Sequence, residues 1–222
     1  PPAPALPEVA ADLLAAYGVP VLGAVPAASA ADAVAAAERL GYPVAVKAAV
    51  PGLRHRLDLG AVRLDLPDTG AVRRAYAEVA GLFGADVLVQ RMVPPGVACL
   101  VKVVEDPAFG PVVGFGLGGV VADLVGDRAW RAVPLTRRDA ETLVDEPRAA
   151  PLLRGYRGAA AVDRAALADL LLRVGRLADD QPQVRGLTLN PVLARPDGWT
   201  VLHASVRLGA PAARPDTGPR RL

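Results

Sequence analysis

Apolar residues recur at helical spacing in several stretches of the chain and alternate or run together in shorter ones. The first helical stretch opens at Pro7-Glu8, carries Leu13, Leu14 and Tyr17 on its apolar side, and stops at Gly18. Ser29 with Asp32 three residues on predicts a capped helix running to Leu40 and ending at Gly41. A third helix is predicted over 68–82. Thr136 with Asp139 repeats the capping pattern and opens a fourth. The clearest pattern lies over 163–177, where Leu167, Leu170, Leu171 and Val174 fall on one face. Between these helices, strands are predicted at 19–25, 43–50, 61–66, 86–92, 97–104, 111–115, 129–133, 184–190 and 200–204. The last two are joined by the turn Arg195-Pro-Asp-Gly198.

Pro94-Pro95-Gly96 interrupts the pattern and marks a boundary between two mixed α/β lobes. The expected organisation is a Pro/Ala linker over 1–7, a smaller lobe over 8–93, a larger lobe over 94–207 and a loose Pro/Arg-rich tail over 208–222. The absence of an initial methionine before Pro1-Pro2 suggests a segment of something longer.

Composition narrows the function classes. Hydrophobic residues make up 52% of the 222, which suffices for a core. The net charge is +2 with both signs interspersed, so no basic stripe for nucleic acid is evident. No apolar run reaches the roughly 18 residues that span a bilayer. A single cysteine, Cys99, forbids an internal disulfide, and the chain reads as cytoplasmic. Cation usage is lopsided: of 25 Lys and Arg only Lys47 and Lys102 are lysines. A surviving lysine in so arginine-biased a chain carries information, because the two differ in shape and hydration.

Few residues stand out chemically. Lys47 interrupts the apolar strand 43–50, where a buried ammonium must snorkel to water, pair with an acid or face an anionic ligand. The run Gly114, Gly116, Gly118 and Gly119 is either a tight turn or a loop whose amides meet phosphate; no Lys-Ser/Thr follows it, so it is not a Walker A loop. His55 lies beside Arg56 and Asp58 in a polar loop, either structural or placed to accept a phosphoryl group. Asn190 before Pro191 reads as a strand-ending turn or as an oxygen ligand for a hard cation.

The order of segments LLAAYGVPV, YPVAVKAAV, RHRLDLGAV, VLVQRMVPPGV, DPAFGPVVGFGLGG, PLLRGYRG and LTLNPV…VLHASV resembles the ATP-grasp module of NDP-forming acyl-CoA synthetases over roughly residues 8–207. That module is similar to the beta subunit of ADP-forming acetyl-CoA synthetase and also occurs fused in Pat-type bacterial protein lysine acetyltransferases, beside a GNAT domain. The resemblance implies a two-lobed α/β (α+β) fold with a cleft between the lobes. It implies ATP as ligand, with Lys47 on the phosphates, and His55 in phosphoryl transfer. Gln90, Arg91, Met92 and Val93 would form an adenine hinge, followed by Gly116, Gly118 and Gly119, then Asp123. The implied partners are the CoA-binding and ligase domains of a parent protein, a GNAT domain and a small-molecule effector, with neither nucleic acid nor membrane.

Departures from the family pattern cluster at the implied chemistry. Ala98 stands where the family has an acid, and so does Thr188. Asn190 is retained as a magnesium-ligand position, but His203 replaces the aspartate beyond it. Imidazole is a poor ligand for Mg2+, so weak or absent magnesium binding is expected. On these grounds the sequence reads first as a degenerate module that binds nucleotide or CoA, or regulates its host. An active ligase half, making acyl-CoA from acid, CoA and ATP, is the alternative.

Overall fold

The computed structural model describes residues 2–50, 53, 59–119 and 124–211. In chain order the elements are β1 (Ala3–Pro4), α1 (Pro7–Ala16), β2 (Ala24–Ala27), α2 (Ala30–Leu40), β3 (Val44–Ala48), β4 (Val62–Leu66), α3 (Thr69–Phe83) and β5 (Val87–Arg91). They continue with β6 (Val97–Asp106), β7 (Gly110–Leu117), β8 (Arg128–Ala132), α4 (Arg137–Asp145), α5 (Arg164–Asp180), β9 (Val184–Arg195), β10 (Gly198–Val201) and β11 (Ala204–Leu208). The fold is mixed α/β with antiparallel sheets, as expected. It divides into two compact units, residues 22–94 and residues 1–21 with 95–222.

The smaller unit is a four-stranded sheet in the order β2-β5-β3-β4 with α2 and α3 on one face. Its helices start where side chains satisfy the first free amides. Ser29 Oγ accepts from Asp32 N at 3.1 Å, and Asp68 Oδ1 accepts from Ala71 N at 2.8 Å. Glycines at φ of 80° and 98°, Gly41 and Gly84, end both helices. Val44, Val46 and Ala48 of β3 and Val87 and Val89 of β5 point into the helices with Ala33, Ala37, Val72 and Val79. The alternating residues Ala45, Lys47, Leu88 and Gln90 therefore occupy the opposite face.

The larger unit is built on a sheet ordered β1-β11-β9-β6-β7-β8, with β10 paired to β9. Its core is filled by α5, whose Leu167, Leu170, Leu171, Val174 and Leu177 are fully buried. Each such side chain contributes about 1.5–3 kcal/mol relative to exposure. They pack against Val101, Val103, Val113, Phe115, Leu187 and Leu189 of the sheet. The Thr136–Asp139 box forms in both directions at the start of α4.

Four expectations are corrected. The segment 1–7 is not all linker: β1 pairs with β11, and α1 buries Ala10 and Leu14 in the larger unit's core, not the smaller one's. The strand expected at 19–25 starts at Ala24, with Val21 making an isolated bridge to Val201. The first half of the glycine run is not a loop, because β7 continues to Leu117 and holds Gly114 and Gly116 within the sheet, while Gly118 and Gly119 follow the strand. Asn190-Pro191 does not end a strand: β9 runs on to Arg195. The proline is accommodated because the β6–β9 ladder shifts register between Cys99 and Val101, opposite the residue that lacks an N–H.

Candidate functional site

Lys47 is buried in the middle of β3, at 9% exposure. The register places it opposite Leu88, so Gln90, two residues along β5, is its diagonal neighbour on the same face. Lys47 Nζ donates to Gln90 Oε1 at 2.5 Å, and Gln90 Nε2 donates to the carbonyl of Leu22 at 2.8 Å. The second bond fixes which end of the carboxamide faces the ammonium. Among the described residues no carboxylate pairs with Lys47. Burial pushes its pKa down from 10.5 to about 8. A cation so placed is ready to meet an anion, because an anionic ligand would supply the charge that the described residues do not.

The hinge residues follow directly. Gln90 turns inward toward Lys47, Arg91 is exposed and pairs with Val44, and Met92 N donates to the carbonyl of Pro43 at 3.0 Å. Met92 N–H is therefore already engaged, and the expected adenine contacts fall to the neighbouring backbone groups up to Val93.

In the larger unit the glycines of β7 have a steric cause. A Cβ on Gly114 would lie 2.5 Å from the Trp130 ring, and one on Gly116 would lie 2.6 Å from the Asp127 carbonyl and 3.0 Å from Arg128 Cγ. The two side chains of β8 thus lie over β7 because β7 has none there. Gly118 N donates to the carbonyl of Ala98 at 2.7 Å, and Gly119 has a φ of 105° and is exposed. Asn190 N donates to the carbonyl of His203 at 3.0 Å, which sets these two residues side by side. Thr188 pairs with Ser205 one step along.

His55, Arg56, Asp58 and Asp123 lie outside the described residues. Among those described, no three His, Cys, Asp or Glu side chains are grouped to hold a metal. Asn190, His203 and Thr188 offer one amide oxygen, one imidazole and one hydroxyl. That set does not fit a magnesium ion held by protein carboxylates. The Lys47–Gln90 pair does fit a nucleotide phosphate.

Two residues were missed from sequence. The side chain of Gln90 was expected only as part of a backbone hinge, and Lys102 was given no role although its rarity was visible.

Residues 5–208 match the family model described as ATP-grasp domain. The chain belongs to the ATP-grasp family. This ATP-grasp domain is 34% identical over 209 residues to the beta subunit of acetate–CoA ligase [ADP-forming] I from Pyrococcus furiosus, covering 90% of this chain and 89% of that subunit. It is 37% identical over 204 residues to acetate–CoA ligase [ADP-forming] I from Archaeoglobus fulgidus, covering 89% of this chain but only 30% of that longer protein. Among solved structures, dinucleotide-forming acetyl-coenzyme A synthetase 1 from Ca. Korarchaeum cryptofilum, in complex with coenzyme A, Ca-AMPCP and HgCl+, superposes with a TM-score of 0.84 at 36% identity over 93% of each chain. The domain is thus of the beta-subunit type found in NDP-forming acetyl-CoA synthetases.

Proposed function

We propose that this chain is the ATP-grasp half of an ADP-forming acyl-CoA synthetase, working with CoA-binding and ligase domains to convert acid, CoA and ATP into acyl-CoA, ADP and phosphate. This reverses the preference drawn from sequence alone. The named relatives are CoA ligases, so the acetyltransferase host and the small-molecule effector form no part of the proposal.

The observation that carries it is Lys47, buried on the helix-free face of its sheet and hydrogen-bonded only to the neutral Gln90 among the described residues. ATP, when bound, supplies the phosphoryl group. Lys47 holds phosphate oxygens, Gln90 aims the ammonium, and the backbone of residues 90–93 reads the adenine. By resemblance His55 receives the phosphoryl group, and the glycines after β7, Asp123 and Asn190 are further nucleotide-site positions. Positioning and charge stabilisation dominate phosphoryl transfer, and these contacts supply the positioning and one of the positive charges.

The experiment is calorimetric titration of the chain with ATP. Binding that weakens by about tenfold or more in Lys47→Met supports the proposal, since about 1.4 kcal/mol is tenfold. No binding of ATP by the wild-type chain overturns it. A second reading, a module that binds nucleotide without turnover, is favoured by Thr188 and His203 at acid positions. It predicts ATP affinity that is nearly independent of magnesium.

A further inference from the structure

Lys102 is the other lysine of the chain, and it lies on β6 near the middle of the larger sheet. Across the ladder it pairs with Thr188 on one side and Gly114 on the other, and the row extends to Ser205 and Trp130. The adjacent rows through Val101 and Val103 fill the core, so this row lies on the face turned away from α4 and α5. Lys102 is half-buried. Among the described residues its ammonium has neither a hydrogen bond nor an ion pair.

Among the described residues, no acid on this face answers the charge. The row on one side of Lys102 runs Leu100, Gly116, Arg128, and that on the other runs Arg207, Gly186, Val104, Val112, Ala132. The nearest acid on the same face of β6 is Asp106, roughly 13 Å along the strand. Its Oδ1 already accepts the amides of Ala108 and Phe109 at 2.8 and 3.0 Å. Two arginines therefore flank Lys102 with the same sign of charge. Gly114 and Gly116 keep β7 bare of side chains in the rows beside Lys102, and the Trp130 ring lies over Gly114. Lysine is disfavoured within strands, and a compact point charge without a partner gives no stability here.

The geometry points to this face as an anion-binding surface on which Lys102, with the Thr188 hydroxyl beside it, holds phosphoryl oxygens of a polyphosphate ligand. The ligand class rests on the nucleotide reading above; the surface does not. Lys102 is then a phosphate contact supplied by the sheet of the larger unit.

The test is calorimetry on the full chain with two probes, ATP and inorganic tripolyphosphate. The variants are Lys102→Met, Lys102→Gln and, as a control for net charge, Arg176→Gln on the exposed side of α5. Circular dichroism confirms folding, and Lys102→Gln serves if Lys102→Met does not fold. Loss of about tenfold in affinity for either probe in the Lys102 variants, with Arg176→Gln within twofold of wild type, supports the inference. If tripolyphosphate shows this loss while ATP does not bind at all, the nucleotide reading fails and the anion surface stands. If ATP binds and the Lys102 variants match wild type, the surface is overturned and the nucleotide reading stands. Equal losses in the Lys102 variants and in Arg176→Gln, or no binding of either probe to wild type, also overturn it.

Discussion

Gln90 stands diagonally across the β3–β5 ladder from Lys47 and accepts its ammonium at 2.5 Å while donating to Leu22 at 2.8 Å. A neutral carboxamide is thus the only hydrogen-bond partner of a buried cation among the described residues. The consequence is a charge whose protonated form is costly to the empty fold and useful to a bound anion.

Stability should therefore depend on pH through Lys47. Its pKa is about 8 folded against 10.5 when solvated, so the unfolded chain binds more protons between those values. Stability rises with pH across this window, and the full penalty applies below pH 8. The shift corresponds to on the order of 3 kcal/mol. Lys47→Met removes that cost but also the charge-assisted hydrogen bond that Gln90 Oε1 accepts, worth about 1–3 kcal/mol. Urea unfolding should show the variant near or above wild type at pH 7, with its relative advantage falling by on the order of 3 kcal/mol by pH 10.5. Parallel curves for the two proteins from pH 7 to 10.5 would remove Lys47 as the titrating group.

Binding should carry the opposite signature. An anion beside Lys47 favours its charged form, so ATP affinity should hold below pH 8 and decline above it. Calorimetry at pH 7 and 9.5 measures this, and Lys47→Met should flatten the profile. A decline that persists unchanged in the variant assigns the effect to another group.

Gln90→Leu should destabilise the fold by about 1–3 kcal/mol, since it leaves the ammonium and the Leu22 carbonyl without their partner. Adding Lys47→Met to it should recover much of the loss, because removing both members of a buried polar pair is close to neutral. A double-mutant cycle by chemical denaturation reads the coupling. Strict additivity would mean that the hydrogen bond is energetically silent.

Gly114→Ala should displace Trp130. The new Cβ would sit 2.5 Å from the ring, too close for a rigid aromatic to tolerate. The expected cost is about 1–3 kcal/mol of overpacking, with a change in tryptophan emission. Trp199 also emits, so the measurement is made in a Trp199→Phe background. Unchanged emission and stability would show that the ring has room.

His203→Asp should increase the gain in ATP affinity on adding magnesium. A carboxylate beside Asn190 supplies the hard oxygen that imidazole lacks. Titrations with and without magnesium in both proteins decide it. If the magnesium effect is the same in each, position 203 takes no part in metal binding.

Local chemistry made much of the fold legible. Ser29, Asp68 and the Thr136–Asp139 box mark helix starts because a side chain two or three residues away satisfies a free amide. The leucines of α5 mark its buried face by spacing alone, and Lys47 marked itself as one charge in an apolar strand. Only tertiary structure decided the rest. The pairing of Lys47 with Gln90 depends on a register between residues 43 apart, which no local pattern encodes. Helix α1 joins the larger unit because Leu14 and Val19 find their apolar partners there, across most of the chain. Gly114 and Gly116 read as a flexible loop in sequence, yet they are strand residues whose missing side chains make room for Trp130 and Arg128. Lys102 stood out in sequence only by its rarity, until the sheet set it in a row beside Thr188, with no acid to meet it among the described residues. Capping and periodicity act within a few residues and survive in the sequence; register and packing are set by the burial of distant surfaces against each other.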